Sequence, residues 1–281
     1  MIKNIEQIKE YYYPEDLSIN RSKGISAICR CHNEEEFCIL SLLSVKDFFD
    51  EIICVFNNCT DRSEELVRKL NLPNVKIFYY PFKIVPAGPE TKNVCINSVK
   101  NIVFYTNYCI SLSNYDWIYR WDLDNIALPN FYELKNIVQS DRYNSIEDRA
   151  WDLVGLNCNM LGSQEYCSFE KRLIKINDNV RYILNGNQTA EEPYVPGLSY
   201  RVEESTFLHL RWCLSKPEKY WKIGWENDPH FKSIFERHMP IKKYEGNLPK
   251  ILKDYLELDR DSDKLIELYK RDQLNAKTRP F

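Results

Sequence analysis

The chain has 281 residues, of which 44% are hydrophobic and 28% charged, with a formal net charge of −3. This length suits one generous α/β domain with an appendage, and the composition excludes a disordered chain. The near-neutral balance provides no global basic field, so nucleic acid is not an expected partner.

Residues 1–23 read as a helical arm ending in polar residues, charged and interrupted, without the apolar core of a secretory signal. No run along the chain approaches 18 apolar residues, so no membrane span is expected. A cytoplasmic location follows, with peripheral attachment as the only route to a membrane. Ile25–Cys31 reads as a buried strand and 35–49 as a helix with Leu40, Leu43 and Phe48 near one face. A second strand, Glu51–Phe56, leads through NNCTD to a helix capped by Thr60 or Asp61. Glu64 and Glu65 lie in its first turn and Arg68 and Lys69 in its last. A third strand, Val75–Tyr80, ends at Pro81.

Strand and helix thus alternate over the first 80 residues, which predicts a mainly parallel sheet with ligands at the carboxyl ends of its strands. A long helix is expected over Thr91–Leu112, and a strand over Trp117–Trp121. Further strands are expected at Asp152–Asn157 and Thr206–Leu210, with a hairpin formed by Arg172–Ile176 and Arg181–Leu184. From Leu248 the tail is charged and helical, with Leu258, Leu265, Leu268 and Tyr269 as its apolar stripe. The ten cysteines fall mostly inside predicted strands and helices and form no CxxC pair. They read as small buried thiols of a reducing compartment rather than a disulfide framework.

Chemistry concentrates in Asp116–Pro129, DWIYRWDLDNIALP, where an aromatic strand runs into Asp122 and Asp124. Ending a buried strand in two carboxylates is costly unless positive charge meets them. A divalent cation carrying substrate phosphates, Mn²⁺ or Mg²⁺, is the expected partner. Eight glycines, with no GxGxxG and no P-loop, exclude the glycine-rich phosphate cradles, so nucleotide must be held by metal and side chains. The acidic run at Asp259–Asp263 lacks the glycine and terminal glutamate of a calcium loop and reads as a solvated helix start.

The segments SAICRCHNEEEFCILSLLSV and DEIICVFNNCTDRSEELVRKL, followed by the DLD triplet, resemble the opening of family 2 glycosyltransferases with the GT-A fold. The resemblance covers about residues 24–130. It implies a single GT-A, Rossmann-like α/β domain over 24–245, with a nucleotide-binding half (24–130) and an acceptor half (131–245). The arm at 1–23 and a helical tail at 246–281 flank it. It implies a metal-dependent, inverting transfer of a sugar from a nucleoside-diphosphate donor to a saccharide or glycolipid acceptor, as in polysaccharide biosynthesis. Asn33 and Glu34 would line the nucleotide pocket, and Asn57, Asn58 and Asp61 the turn after the second strand, with helix capping as Asp61's other role. Phe56 stands where that family has an Asp for the base or ribose. Asp124 would be the direct metal ligand and Asp122 would face ribose or a metal-bound water. His209, in FLHLRW, offers a third metal contact, with Arg211 on the same strand face for the nucleotide. The catalytic base is expected at Glu191 or Glu192, in a loop after the hairpin, with Glu203 and Glu204 as alternatives.

Two other readings remain open at this level. In a haloacid-dehalogenase-type phosphatase Asp122 would attack phosphorus and Asp124 would act as acid and base, although Ile126 replaces the hydroxyl residue expected next. A non-catalytic sugar-nucleotide-binding protein would keep the fold without the reaction.

Overall fold

The computed structural model describes residues 11–154, 160–161, 169–213, 242–243 and 246–278. Within them the chain runs β1 (Ser22–Cys31), α1 (Cys38–Val45), β2 (Glu51–Asn57), α2 (Ser63–Leu70), β3 (Val75–Tyr80), α3 (Ile102–Ser111) and β4 (Tyr115–Arg120). There follow β5 (Asn125–Ala127), α4 (Leu134–Gln139), β6 (Ser145–Asp148), β7 (Ala150–Val154), β8 (Met160–Leu161), β9 (Glu170–Lys175), β10 (Arg181–Leu184) and β11 (Glu191–Tyr194). The last elements are β12 (Ser199–Arg201), β13 (Phe207–Trp212), β14 (Lys242–Lys243), α5 (Lys250–Glu257) and α6 (Ser262–Thr278).

The main sheet has seven strands in the order β12-β6-β9-β4-β1-β2-β3. β4, β1, β2 and β3 are mutually parallel, β9 lies antiparallel between β4 and β6, and β12 is parallel to β6. This is the expected α/β architecture with a mainly parallel central sheet. β2 is buried throughout and β1 over most of its length, as strands covered on both faces must be. Alternation divides β1 between two cores. Ile25, Ala27, Cys29 and Cys31 face the layer of α1 and α2, whereas Ile28 faces that of α3. The C-terminal helices α5 and α6 pack on α1, and the stripe Leu258, Leu265, Leu268 and Tyr269 joins the first core as the periodicity predicts.

A second sheet, in the order β14-β8-β7-β13-β5, adjoins the first. Its strand β5 begins directly after Asp124, so the chain passes from the large sheet to the small one across Asp122–Asp124. Trp121, Phe131 and Phe207 are fully buried and pack ring on ring at this seam.

Several expectations are corrected. Residues 11–21 form turns rather than a helix, and residues 1–10 lie outside the described residues. Pro14 and an Asp16 carboxylate accepting from the Ser18 amide at 2.8 Å compete with helical hydrogen bonding there. The helix expected over Thr91–Leu112 is a 3₁₀ turn at Pro89–Asn93 and then α3. Asn101 starts α3 by accepting from the Val103 amide at 2.9 Å, and it donates back to the Val94 carbonyl. The helix expected at 35–49 is confined to α1. β9 and β10 form no hairpin, because both edges of β9 are taken by β4 and β6, and β10 pairs with β11 instead. Residues 155–157 of the strand expected at Asp152–Asn157 lie outside the described residues. No helix among the described residues is long and apolar enough to cross a membrane.

Candidate active site

Because β1, β2 and β4 are parallel, their carboxyl ends deliver His32–Glu35, Asn57–Asp61 and Trp121–Asp124 to one sheet edge. The first two turns are tied to each other. Asn33, with φ 58°, accepts from the Thr60 amide at 2.8 Å, and the Glu34 amide donates to Ser63 Oγ at 2.7 Å. His32 Nδ1 lies 2.7 Å from the Asn57 carbonyl. Asn57 is buried, and its amide donates to the Tyr80 and Phe82 carbonyls at 2.8 and 2.7 Å, holding the end of β3. Asn58 is exposed with φ 47°. Asp61 accepts from the Ser63 amide and from the Glu35 amide, both at 3.0 Å, and so closes the start of α2. Phe56 is buried in the core.

Asp122 and Asp124 meet different partners. Asp122 Oδ2 accepts from Arg172 Nη1 at 2.9 Å. Burial opposes its charge, but the guanidinium groups of Arg172, Arg120 and Arg30 outweigh that and hold its carboxyl well below the usual range. Asp124 Oδ2 lies 3.2 Å from His209 Nε2, and His209 Nδ1 lies 2.7 Å from Asp152 Oδ1. Strand register makes this triad, since His209 on β13 stands opposite Asn125 of β5 on one side and Asp152 of β7 on the other. Burial disfavours a charged imidazole, yet Asp124 and Asp152 together raise its pKa to about 10. The Arg211 side chain lies outside the described residues.

Beside Asp122 lies a buried ionic cluster. Arg30 of β1 bonds Glu191 Oε1 at 2.5 Å and Thr106 at 2.9 Å, and Arg120 of β4 reaches the same Glu191 oxygen at 3.5 Å. The Glu191 side chain is only 5% exposed, so its carboxylate is already committed to two guanidinium groups. Glu191 and Glu192 lie not in a loop but in β11, where alternation turns Glu192 outward to solvent. Glu203 and Glu204 sit exposed in the bend before β13.

The carboxylates are donors suited to Mn²⁺ or Mg²⁺, and the imidazole extends the set toward other first-row divalent metals. Among the described residues, no three His, Cys, Asp or Glu side chains converge as a complete cage. Asp124 and His209 instead fit a cation that takes its remaining ligands from phosphate oxygens and water, the usual situation for Mg²⁺. A cation there would have to displace the Nε2 proton that faces Asp124, and Asp152, accepting from Nδ1–H, would hold the ring in place for it.

Sequence reasoning missed Asp152, Arg172, Arg30, Arg120 and Glu170. A signal for two of them existed, since Arg30 and Arg120 are cations inside otherwise apolar strands, and such charges persist only when paired.

No family model and no curated protein sequence matches the chain. Among solved structures it is similar to S. aureus TarS 1–349, at 12% identity over 72% of this chain and 64% of that one, with a TM-score of 0.41. It is also similar to glucosyl-3-phosphoglycerate synthase from Mycobacterium tuberculosis in complex with Mn²⁺, UDP and phosphoglyceric acid. There the identity is 17% over 47% of this chain and 45% of that one, with a TM-score of 0.31. A third is 4-diphosphocytidyl-2C-methyl-D-erythritolsynthase from Anaerococcus prevotii, at 12% identity over 85% and 84% of the two chains, with a TM-score of 0.30. The chain thus spans under two thirds of TarS 1–349 and under half of glucosyl-3-phosphoglycerate synthase.

Proposed function

We propose that this chain is a metal-dependent glycosyltransferase, moving one sugar from a nucleoside-diphosphate donor to a saccharide or lipid-linked acceptor with inversion. The observation that carries the reading is the Asp124–His209–Asp152 chain at the carboxyl edge of a parallel sheet, beside an Asp122 held ionised by Arg172. A divalent cation bound there supplies Lewis-acid stabilisation to a departing diphosphate. Asp124 and His209 would hold it, and Asp152 sets the ring orientation. Asp122 presents a fixed negative charge toward the ribose side, while the tied turns at Asn33 and Asn57 shape the pocket wall.

Inverting transfer also needs a group that accepts the proton of the attacking hydroxyl, typically worth ~10²–10⁴-fold. Glu191, Glu192, Glu203 and Glu204 are the carboxylates proposed for it, and separate Gln replacements assign the role. The engagement of Asp122 by Arg172 does not favour the rival phosphatase, in which that carboxylate must attack phosphorus.

The test is thermal stabilisation by a panel of nucleoside diphosphates with and without Mn²⁺, followed by a screen of nucleotide sugars for slow hydrolysis. A nucleotide at 100 times its Kd should add about 2.7 kcal/mol, and only with metal present. Metal-independent stabilisation, or turnover of a generic phosphomonoester, would reject the reading.

A further inference from the structure

Three guanidinium groups on three neighbouring strands exceed what Asp122 alone requires. Arg30, Arg120 and Arg172 are 16%, 16% and 12% exposed, and carboxylates of Glu191, Glu170 and Asp122 are threaded among them. Two of the arginines converge on a single oxygen. Arg120 Nη2 and Arg172 Nη2 reach Glu170 Oε2 at 2.5 and 3.1 Å. The Arg172 guanidinium also lies over the Phe207 ring at 4.9 Å, which fixes its plane.

Glu170 is the most exposed of the three carboxylates in the cluster. Its side chain is 40% exposed, against 34% for Asp122 and 5% for Glu191, and it stands first in β9. A half-exposed carboxylate laid across two mostly buried guanidinium groups occupies the position that an incoming oxyanion would take. Paired guanidinium forks match phosphate and carboxylate geometry, whereas a neutral hydroxyl offers them no charge. A pair buried only for stability gains little over an apolar core, so stability alone does not account for so many charges. The fork also adjoins the proposed reaction centre, because Arg172 Nη1 holds Asp122.

We propose that the Arg120–Arg172 fork is a binding subsite for an anionic group, phosphate or carboxylate, on the acceptor, with Glu170 holding its place until the acceptor arrives. The word acceptor rests on the glycosyl-transfer reading, but the anion subsite does not. The acceptor class is accordingly a phosphorylated or uronic saccharide rather than a neutral one.

Calorimetric titration of the full chain with glucose 6-phosphate, glucuronate and glucose tests this, since the three share a ring and differ in charge. At least one anion should bind while glucose does not, and the tighter one identifies the group. Glu170→Gln removes the competing charge and should tighten that binding about tenfold, while Arg120→Gln should weaken it by about tenfold or more, the scale of a charge-assisted hydrogen bond. Binding should persist with saturating Mn²⁺ and nucleoside diphosphate. Equal binding of glucose, or no change in Glu170→Gln, overturns the proposal. So does competition by the nucleoside diphosphate, which would assign the fork to the donor. Glu170 is half-exposed, so its variant keeps the test decisive even if Arg120→Gln does not fold. Should nucleoside diphosphates fail to bind while the anion titrates as described, the transferase reading falls and the subsite stands.

Discussion

Asp152 reaches Nδ1 of His209 at 2.7 Å, so the opposite ring nitrogen is turned toward Asp124. A carboxylate behind a ligating histidine commonly fixes its tautomer, and losing it costs about 10–100-fold in metal affinity. Asp152→Asn should therefore weaken Mn²⁺ binding by that factor in a titration with nucleoside diphosphate present. An unchanged midpoint would mean that His209 needs no such support.

Asp124→Asn keeps the shape of the side chain and removes the charge that His209 faces. Transfer should fall at least ~10²-fold, since a lost Lewis-acid site is worth several kcal/mol at the barrier. The melting temperature should shift by only a few degrees. Full activity in this variant would refute the metal role.

Glu191→Gln should be a stability variant whatever else it is. It strips the charge from a 5% exposed carboxylate and leaves Arg30 and Arg120 facing a neutral amide. Breaking one partner of a buried pair costs about 3–5 kcal/mol, whereas replacing both by apolar groups costs far less. Urea midpoints of Glu191→Gln and of the double variant Arg30→Met with Glu191→Leu measure this, and the double variant should be the more stable. Glu192→Gln, on the exposed face of β11, should leave the urea midpoint unchanged.

Asp148 supplies a pH dependence. It is fully buried, and its Oδ2 accepts from Tyr119 and, at 3.0 Å, from Thr206. Burial pushes its pKa from 3.8 to about 6, so between those values the folded protein holds a proton that the unfolded chain releases. Its contribution to stability is complete below about pH 4 and is lost as pH rises through 6. The loss amounts to about 3 kcal/mol, two pKa units at 1.36 kcal/mol each. Asp148→Asn should flatten the denaturation midpoint over this range, and a slope that survives the change would place the titrating group elsewhere.

Much of the large sheet was legible in the sequence. β1, β2 and β3 are nearly as read, because β1 and β2, covered on both faces, must be continuous apolar runs and parallel neighbours must be separated by helices. The second half was harder to read. β9 looks like one arm of a local hairpin, yet its partners β4 and β6 lie across the sheet, and periodicity says nothing about which edge a strand finds. The site shows the same division. Asp122, Asp124 and His209 stand out by residue type, but Asp152 is coupled to His209 only through the register of β7 and β13. The arginines were hidden in plain alternation. One charge in an apolar strand is visible in sequence, whereas the carboxylate that answers it, 161 positions away for Arg30, is not.

Leu123 alone separates Asp122 from Asp124 in the short connection between the two sheets, so the placement of this pair depends on how the two sheets sit. Their relative position is set by the aromatic rings of Trp121, Phe131 and Phe207. Trimming Phe207 would accordingly be registered first as a loosened grip at the edge that carries Asp122 and Asp124, before any melting of the protein.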